Sequence, residues 1–213
     1  MNRQRYYDIF SLFYDRIIAL HSRDSRAILR KFLIERSGIK RGGRLLDICT
    51  GTGAIPLAAT ELFGDQIQVT GLDFSMGMLK KAYASIKSGP TTALQSIDLV
   101  QSDASRLPFQ DSSFQAVTCS HAMYELKPGV RERVLAEAQR VLATGGRFAM
   151  MEHCEPEKPF IRFLYRLRLS GLGRGGNLDF ARDEVPYLSR YFRDVRMELA
   201  PGGKSKVISG VRA

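Results

Sequence analysis

This chain of 213 residues predicts an α/β fold: a doubly wound, mostly parallel seven-stranded sheet with helices on both faces and an antiparallel C-terminal strand. Three observations carry that expectation. From Leu45 onward, apolar runs of strand length alternate with segments of helical periodicity, the pattern of parallel βαβ units. The first run, 45–48, passes through the turn Cys49-Thr50-Gly51-Thr52-Gly53 straight into a helix-like stretch. Asp73, Asp103, His121 with Tyr124, and Glu152-His153 stand at the ends of successive strands. In open sheets of this kind, ligands bind at those ends.

Each element has a local reason. Residues 5–20 repeat apolar positions at three- and four-residue spacing, among them Tyr6, Ile9, Phe10, Phe13, Tyr14 and Ile17. Residues 25–37 form a second helix, capped by Asp24 or Ser25, with Ile28, Leu29, Phe32 and Leu33 inward. Gly38 and Gly42-Gly43 then break the chain, so residues 1–44 read as an N-terminal helical cap on a single domain spanning 1–213. After strand 45–48, Pro56 suits a first helical turn, where its missing N–H does no harm. The second strand is 66–73, and Ser75 caps a helix over 76–87. Residues 88–96 read as a Gly/Pro/Thr-rich connection. Strands 97–101 and 114–120 flank a turn-rich segment. A helix over 130–142 is ended by Gly145-Gly146, and strand 147–152 follows. Residues 154–180 break the alternation and read as a lid-like insertion. In it Phe160, Phe163, Leu164 and Leu167 interleave with Arg162, Arg166 and Arg168, ahead of a mobile segment containing Gly171, Gly173, Gly175 and Gly176. A helix near 182–191 and strands 194–199 and 205–212 close the chain.

Composition narrows the function classes. Hydrophobic residues make up 44% and charged residues 25%, ordinary for a globular domain. No apolar run approaches bilayer length, and the first residues lack the apolar core of a signal peptide. Cys49, Cys119 and Cys154 have no metal-ligand spacing, so no metal is expected and a reduced, cytoplasmic setting is the simplest reading. The net charge of +10 is unevenly placed: +7 in residues 1–44, −2 in 45–153 and +5 in 154–213. Basic flanks suit nucleic acid, an anionic membrane surface, or simply a solvated face.

The strand–loop–helix junction at 45–58 aims backbone N–H groups at a ligand. A dinucleotide fingerprint would place Pro56 where close helix packing needs glycine or alanine, which argues against hydride transfer. Four segments in order instead resemble class I S-adenosylmethionine (SAM) methyltransferases, which are Rossmann-like. Leu46-Asp47-x-Cys49-Thr50-Gly51-Thr52-Gly53 looks like their first motif and Asp73 like their ribose-binding acid. Ser102-Asp103-Ala104-x-x-Leu107-Pro108-Phe109 looks like their adenine segment. Arg140-Val141-Leu142-x-x-Gly145-Gly146 looks like the approach to their fifth strand. The resemblance is closest to the ubiquinone/menaquinone-biosynthesis C-methyltransferase branch. The chain departs from that branch on the substrate side: Tyr14-Asp15 keeps only the first pair of an N-terminal motif, and Tyr124-Glu125 replaces an Arg-Asn pair.

The resemblance implies the cofactor roles that follow, and the chemistry of the residue types suggests the packing role of Cys49 and the acid/base candidates. SAM is the methyl donor and S-adenosylhomocysteine the product. Asp47, Cys49, Thr50, Gly51 and Gly53 form the floor of the cofactor site, with Cys49 as a packing residue. Asp73 accepts from the ribose hydroxyls, and Asp103 with Ala104 contacts adenine. Phe74 and Met78 flank adenine or belong to the core. Ser120 contacts the methionine moiety, and Tyr14 caps its carboxylate or packs through its ring. His121 and Tyr124 are the candidate catalytic acid/base groups, with Glu125 and His153 nearby; His121 is the first choice for a base. The acceptor is a small, apolar, aromatic or quinone-like molecule. Phospholipid or amine N-methylation, nucleic-acid methylation and non-catalytic SAM binding are the alternatives. Nucleic acid is disfavoured because no Asn/Asp-Pro-Pro-Tyr/Phe motif is present. Peripheral contact with an anionic membrane and a monomeric or homodimeric state stay open.

Overall fold

The structure, a computed structural model, describes residues 27–157, 159–160, 162–166 and 176–213. Expectations for Tyr14, the helix 5–20, the caps Asp24 and Ser25, and Gly171, Gly173 and Gly175 lie outside those residues. Helix α1 (Ile28–Arg36) precedes β1 (Arg44–Ile48), α2 (Ala54–Phe63), β2 (Gln68–Asp73), α3 (Met76–Lys87), α4 (Thr91–Ser96) and β3 (Ile97–Gln101). There follow β4 (Phe114–Ser120), a 3-10 turn (Met123–Glu125), α5 (Pro128–Val141), β5 (Leu142–His153), α6 (Gly176–Arg182), α7 (Glu184–Leu188), β6 (Arg193–Leu199) and β7 (Ser205–Val211).

The seven strands form one sheet in the order β3-β2-β1-β4-β5-β7-β6. Neighbours from β3 to β5 are parallel, and β7 runs antiparallel to both β5 and β6. This is the sheet expected from the sequence. Strand order reverses between β1 and β4, which places the ligand crevice over the carboxyl ends of those two strands.

Burial on both faces explains the near-continuous apolar strands. Leu45, Val69, Ala116 and Ala149 pack with α1 and α2 on one side, together with Leu33, Ile34, Ile55 and Ala59. Neighbouring residues on β1, β4 and β5 face the other way: Leu46, Val117, Phe148 and Met150 join Val134, Leu135, Phe180 and Phe192.

Four local expectations are corrected. In α1, Leu29, Phe32 and Leu33 pack inward as expected, but Ile28 is 48% exposed and Ile34 is buried in addition. Residues 91–96 are helical rather than a loop, because Pro90, at φ −59°, sets the backbone just ahead of α4. Gly145-Gly146 does not separate helix from strand. β5 already begins at Leu142, and the glycines form an irregularity within it, where the register jumps from Phe114↔Leu142 to Ala116↔Arg147. A Cβ on Gly146 would lie 2.8 Å from the Ala143 carbonyl oxygen and 2.9 Å from that of Gln115, so the strands could not approach there. The helix expected near 182–191 is two short helices, broken at Asp183.

Candidate cofactor and acceptor site

The loop after β1 is held by its own backbone. The Thr50 N–H donates to the Leu72 carbonyl at 2.9 Å and that of Gly53 to the Thr50 carbonyl at 3.1 Å. The Gly51 N–H donates to Asp73 Oδ2 at 2.8 Å, which ties the loop to the end of β2. Gly51 and Gly53 have φ of +57° and +78°. At Gly53 a Cβ would sit 3.0 Å from that of Ala82 on α3, while at Gly51 nothing lies within 4 Å. Gly53 therefore permits close packing against α3, and Gly51 faces open space. Cys49 also has positive φ, +56°. Its thiol meets that of buried Cys119. That hydrogen-bonded contact, with burial added, pushes the Cys119 thiol well above its ordinary range.

Asp47 lies beneath this loop, 1% exposed, and accepts a 2.7 Å hydrogen bond from the Thr118 hydroxyl on β4. Burial pushes its carboxyl up from 3.8 to about 7; the Thr50 and Thr118 hydroxyls pull it down, and the Asp73 charge adds a smaller upward push. Ionisation of this group is thus within reach of a nearby cation.

At the end of β2, Asp73 is half-buried and accepts from two backbone N–H groups, Gly51 on Oδ2 and Ser75 on Oδ1 at 2.9 Å. Ser75 caps α3, accepting from the Met78 N–H at 3.2 Å. Phe74 is 42% exposed, whereas Met78 is 5% exposed, so Phe74 is the more accessible of the two.

Asp103, exposed, accepts from the Ser105 N–H at 2.8 Å, forming a turn beside buried Ala104. Arg140 on α5 fixes the chain that follows, donating to the carbonyls of Phe109 at 2.8 Å and Leu107 at 3.0 Å and to Asp111 at 2.7 Å. Glu137 receives both Arg140 and the Leu107 N–H, and the Arg140 bond holds its carboxyl below the usual range.

Beyond β4 the polar groups divide. Ser120 Oγ lies 3.0 Å from His121 Nδ1. The rings of His121 and His153 are 4.2 Å apart between centroids. Tyr124, by contrast, belongs to the core, 4% exposed with its ring edge-on to Phe180. Its hydroxyl donates to Glu184, which pairs with Lys206 at 2.7 Å. The expectation of Tyr124 as an acid/base group is corrected to a packing role, because its one donor is already engaged below the surface. Glu125 is half-buried beside it in the 3-10 turn.

Sequence reasoning missed the supports of this site. Thr118 fixes Asp47, and only the β1–β4 register, Asp47↔Thr118, makes them neighbours. Fully buried Arg131 donates to the carbonyls of Met123 at 3.0 Å and Leu126 at 2.8 Å, stacking over Phe180. It shapes the segment after β4. Periodicity had placed Arg131 at no particular position, since long cationic side chains are usually exposed. Glu184 and Lys206, 22 residues apart, were equally invisible.

The doubly wound sheet with an antiparallel seventh strand, carrying a glycine loop and two strand-end acids, defines a Rossmann-like methyltransferase fold. The ubiE/COQ5 methyltransferase family model matches residues 2–195, and the chain belongs to that family. Demethylmenaquinone methyltransferase of Staphylococcus epidermidis is 34% identical over 154 residues, 72% of this chain and 61% of that protein. The chain thus spans about three-fifths of that relative's length. Among solved structures, the putative methyltransferase of Haloferax volcanii, in complex with the Trm112 methyltransferase activator, is similar with a TM-score of 0.72 at 17% identity, covering 100% of this chain and 99% of that one. Phosphoethanolamine N-methyltransferase 2 of Haemonchus contortus, solved with S-adenosyl-L-methionine, is similar with a TM-score of 0.66 at 16% identity, covering 99% and 58%. At these identities the two structures speak to the fold alone.

Proposed function

We propose that the chain is a SAM-dependent methyltransferase whose acceptor is a small, apolar or aromatic, quinone-like molecule. The observation that carries the cofactor reading is the Asp73 carboxylate braced against the glycine loop: the Gly51 and Ser75 N–H groups fix it, and the space where a Gly51 Cβ would stand is open. Asp73 binds the ribose hydroxyls, Phe74 covers adenine, the Asp103–Ala104 turn contacts its edge, and the loop 49–53 with Ser120 holds the methionine end. Asp47 supplies negative charge under that end. When bound, SAM supplies an activated methyl on a sulfonium. The protein then has to align the acceptor, exclude water and receive a proton. We assign His121, the residue after β4, to receive it.

Family membership and the similarity to a demethylmenaquinone methyltransferase favour a quinone-like acceptor. Phe160, Phe163 and Leu164 are 71%, 61% and 46% exposed on the insertion, an apolar surface suited to contact with the lipid phase where such acceptors reside. Among the described residues, no helix is long and apolar enough to cross a membrane. Calorimetry with SAM and S-adenosylhomocysteine tests the cofactor; absence of binding would refute it. An acceptor panel of quinols, phospholipid amines, small amines and tRNA tests the rest. Turnover confined to amines or tRNA would overturn the quinone-like assignment. Flotation with anionic liposomes at low salt tests the surface, and failure to float would remove the membrane contact.

A further inference from the structure

The ends of β4 and β5 bring two imidazoles together in a way that the strands alone do not require. His121 and His153 have ring planes inclined by 41° at a centroid separation of 4.2 Å. The His121 N–H donates to the Met151 carbonyl at 2.8 Å, extending the ladder past Ser120↔Met151. His121 adopts φ of +54°, a conformation uncommon for a residue with a Cβ. Ser120 Oγ, 3.0 Å from Nδ1, fixes the rotation of the ring.

Other groups surround the pair. Glu152 on β5 and Cys154 just past its end flank His153, and Tyr165 donates to the His153 carbonyl at 3.4 Å. Across the β5–β7 register lie Lys206, opposite Glu152, and Ser205, opposite His153; the Cys154 N–H donates to the Lys204 carbonyl. Tyr124 and Glu125 follow from the 3-10 turn, and Glu184 of α7 pairs with Lys206.

We propose that His121 and His153 act as one proton-accepting unit on the acceptor side of the site, serving an acceptor with an ionisable hydroxyl or an activated ring C–H. His121 takes the proton, and His153 is a positioning residue that sets the proton affinity of His121. The inference rests on the methyltransferase reading above. Like charges this close suppress a second protonation, so the two neutral rings together accept one proton readily and a second only at lower pH, in two macroscopic steps. A nearby cationic donor disfavours the charged pair further, keeping the unit neutral and ready to accept. In the balanced step the acceptor's O–H or C–H bond breaks and its proton passes to His121. The electron pair left on the acceptor forms the bond to the methyl carbon, and the carbon–sulfur pair stays on sulfur. The pair then returns its proton to water. An acceptor without an acidic proton would leave the pair no role, so the pairing selects for phenol- or enol-type acceptors.

The chain has three histidines, His21, His121 and His153, so ring resonances of histidine-labelled full-length protein are separable. In a titration by NMR, the rings of His121 and His153 are expected to respond in the same two steps, at least about one pH unit apart. His153→Phe, which retains a ring in contact, should collapse His121 to one step at a higher midpoint, and His153→Gln should do the same. Exchanging S-adenosylhomocysteine for SAM should lower the upper step in the wild type. Two independent one-step curves, or an unmoved His121 midpoint in His153→Phe, would overturn the pair while leaving cofactor binding by calorimetry intact. Loss of calorimetric binding with the coupling intact would overturn the cofactor reading and, with it, the role assigned to the pair.

Discussion

Replacing Asp47 by Asn separates what a buried carboxyl does for stability from what it does for the ligand. Asp47 is 1% exposed, and burial lifts its carboxyl from 3.8 in the unfolded chain to about 7 in the folded one. Between those values the folded protein holds a proton that the unfolded chain has released, so stability falls as pH rises through the window and levels off above it. The difference is about three units, or about 4 kcal/mol at about 1.36 kcal/mol per unit, as a ceiling. An Asn side chain retains an oxygen to accept from Thr118 and carries no charge at any pH. Asp47→Asn should therefore match the wild type near pH 4 and exceed it by about 2–4 kcal/mol at pH 8. Urea unfolding at pH 4.5, 6 and 8 measures this, and the difference between the two proteins isolates Asp47 from every other titrating group. The same variant should bind SAM less tightly than the wild type while S-adenosylhomocysteine is less affected, because both carry an α-ammonium but only SAM adds a sulfonium charge. Parallel stability–pH curves for the two proteins would refute the burial argument, and an equal loss for both ligands would refute the electrostatic one.

Further outcomes follow from neighbouring contacts. Asp73→Ala should weaken SAM binding by about 1–3 kcal/mol in calorimetry, the scale of hydrogen bonds to a charged group; wild-type affinity would remove Asp73 from the site. Gly53→Ala should lower stability by about 1–3 kcal/mol in urea unfolding, since it places a Cβ at φ +78° and 3.0 Å from Ala82; a neutral result would mean that α3 moves freely. Arg131→Met should cost about 2–4 kcal/mol by leaving the buried Met123 and Leu126 carbonyls without their donor, with faster amide exchange in residues 122–126 as its local signature. Lys206→Met should make stability fall more steeply with rising pH, because burial already raises the Glu184 carboxyl and Lys206 is what opposes it; an unchanged pH slope would contradict the pairing.

The sequence was most informative where chemistry is local. Gly51 and Gly53 follow β1 directly, Asp73 ends β2, and Ser75 caps α3 three residues ahead of the Met78 N–H that it receives. Periodicity and turn chemistry act over a few residues, so these features could be read along the chain. Local patterns failed where two signals overlapped. Gly145-Gly146 looked like a helix stop because glycine favours both helix ends and strand irregularities, and only the pairing of β5 with β4 and β7 decided between them. Tyr124 looked available beside His121 because adjacency in sequence says nothing about depth.

What the sequence determined by itself was the order of strands and helices, the glycine loop and the strand-end acids, because each arises from the conformational preferences of neighbouring residues. The tertiary structure alone decided which of these groups meet. Asp47 finds Thr118 through strand register, Tyr124 is drawn inward to Glu184 and Lys206 from α7 and β7, and His121 comes to lie against His153 across β4 and β5. Those meetings depend on sheet order and on helices packed from 22 to 71 residues away, and burial then fixes their charge. No local propensity encodes either.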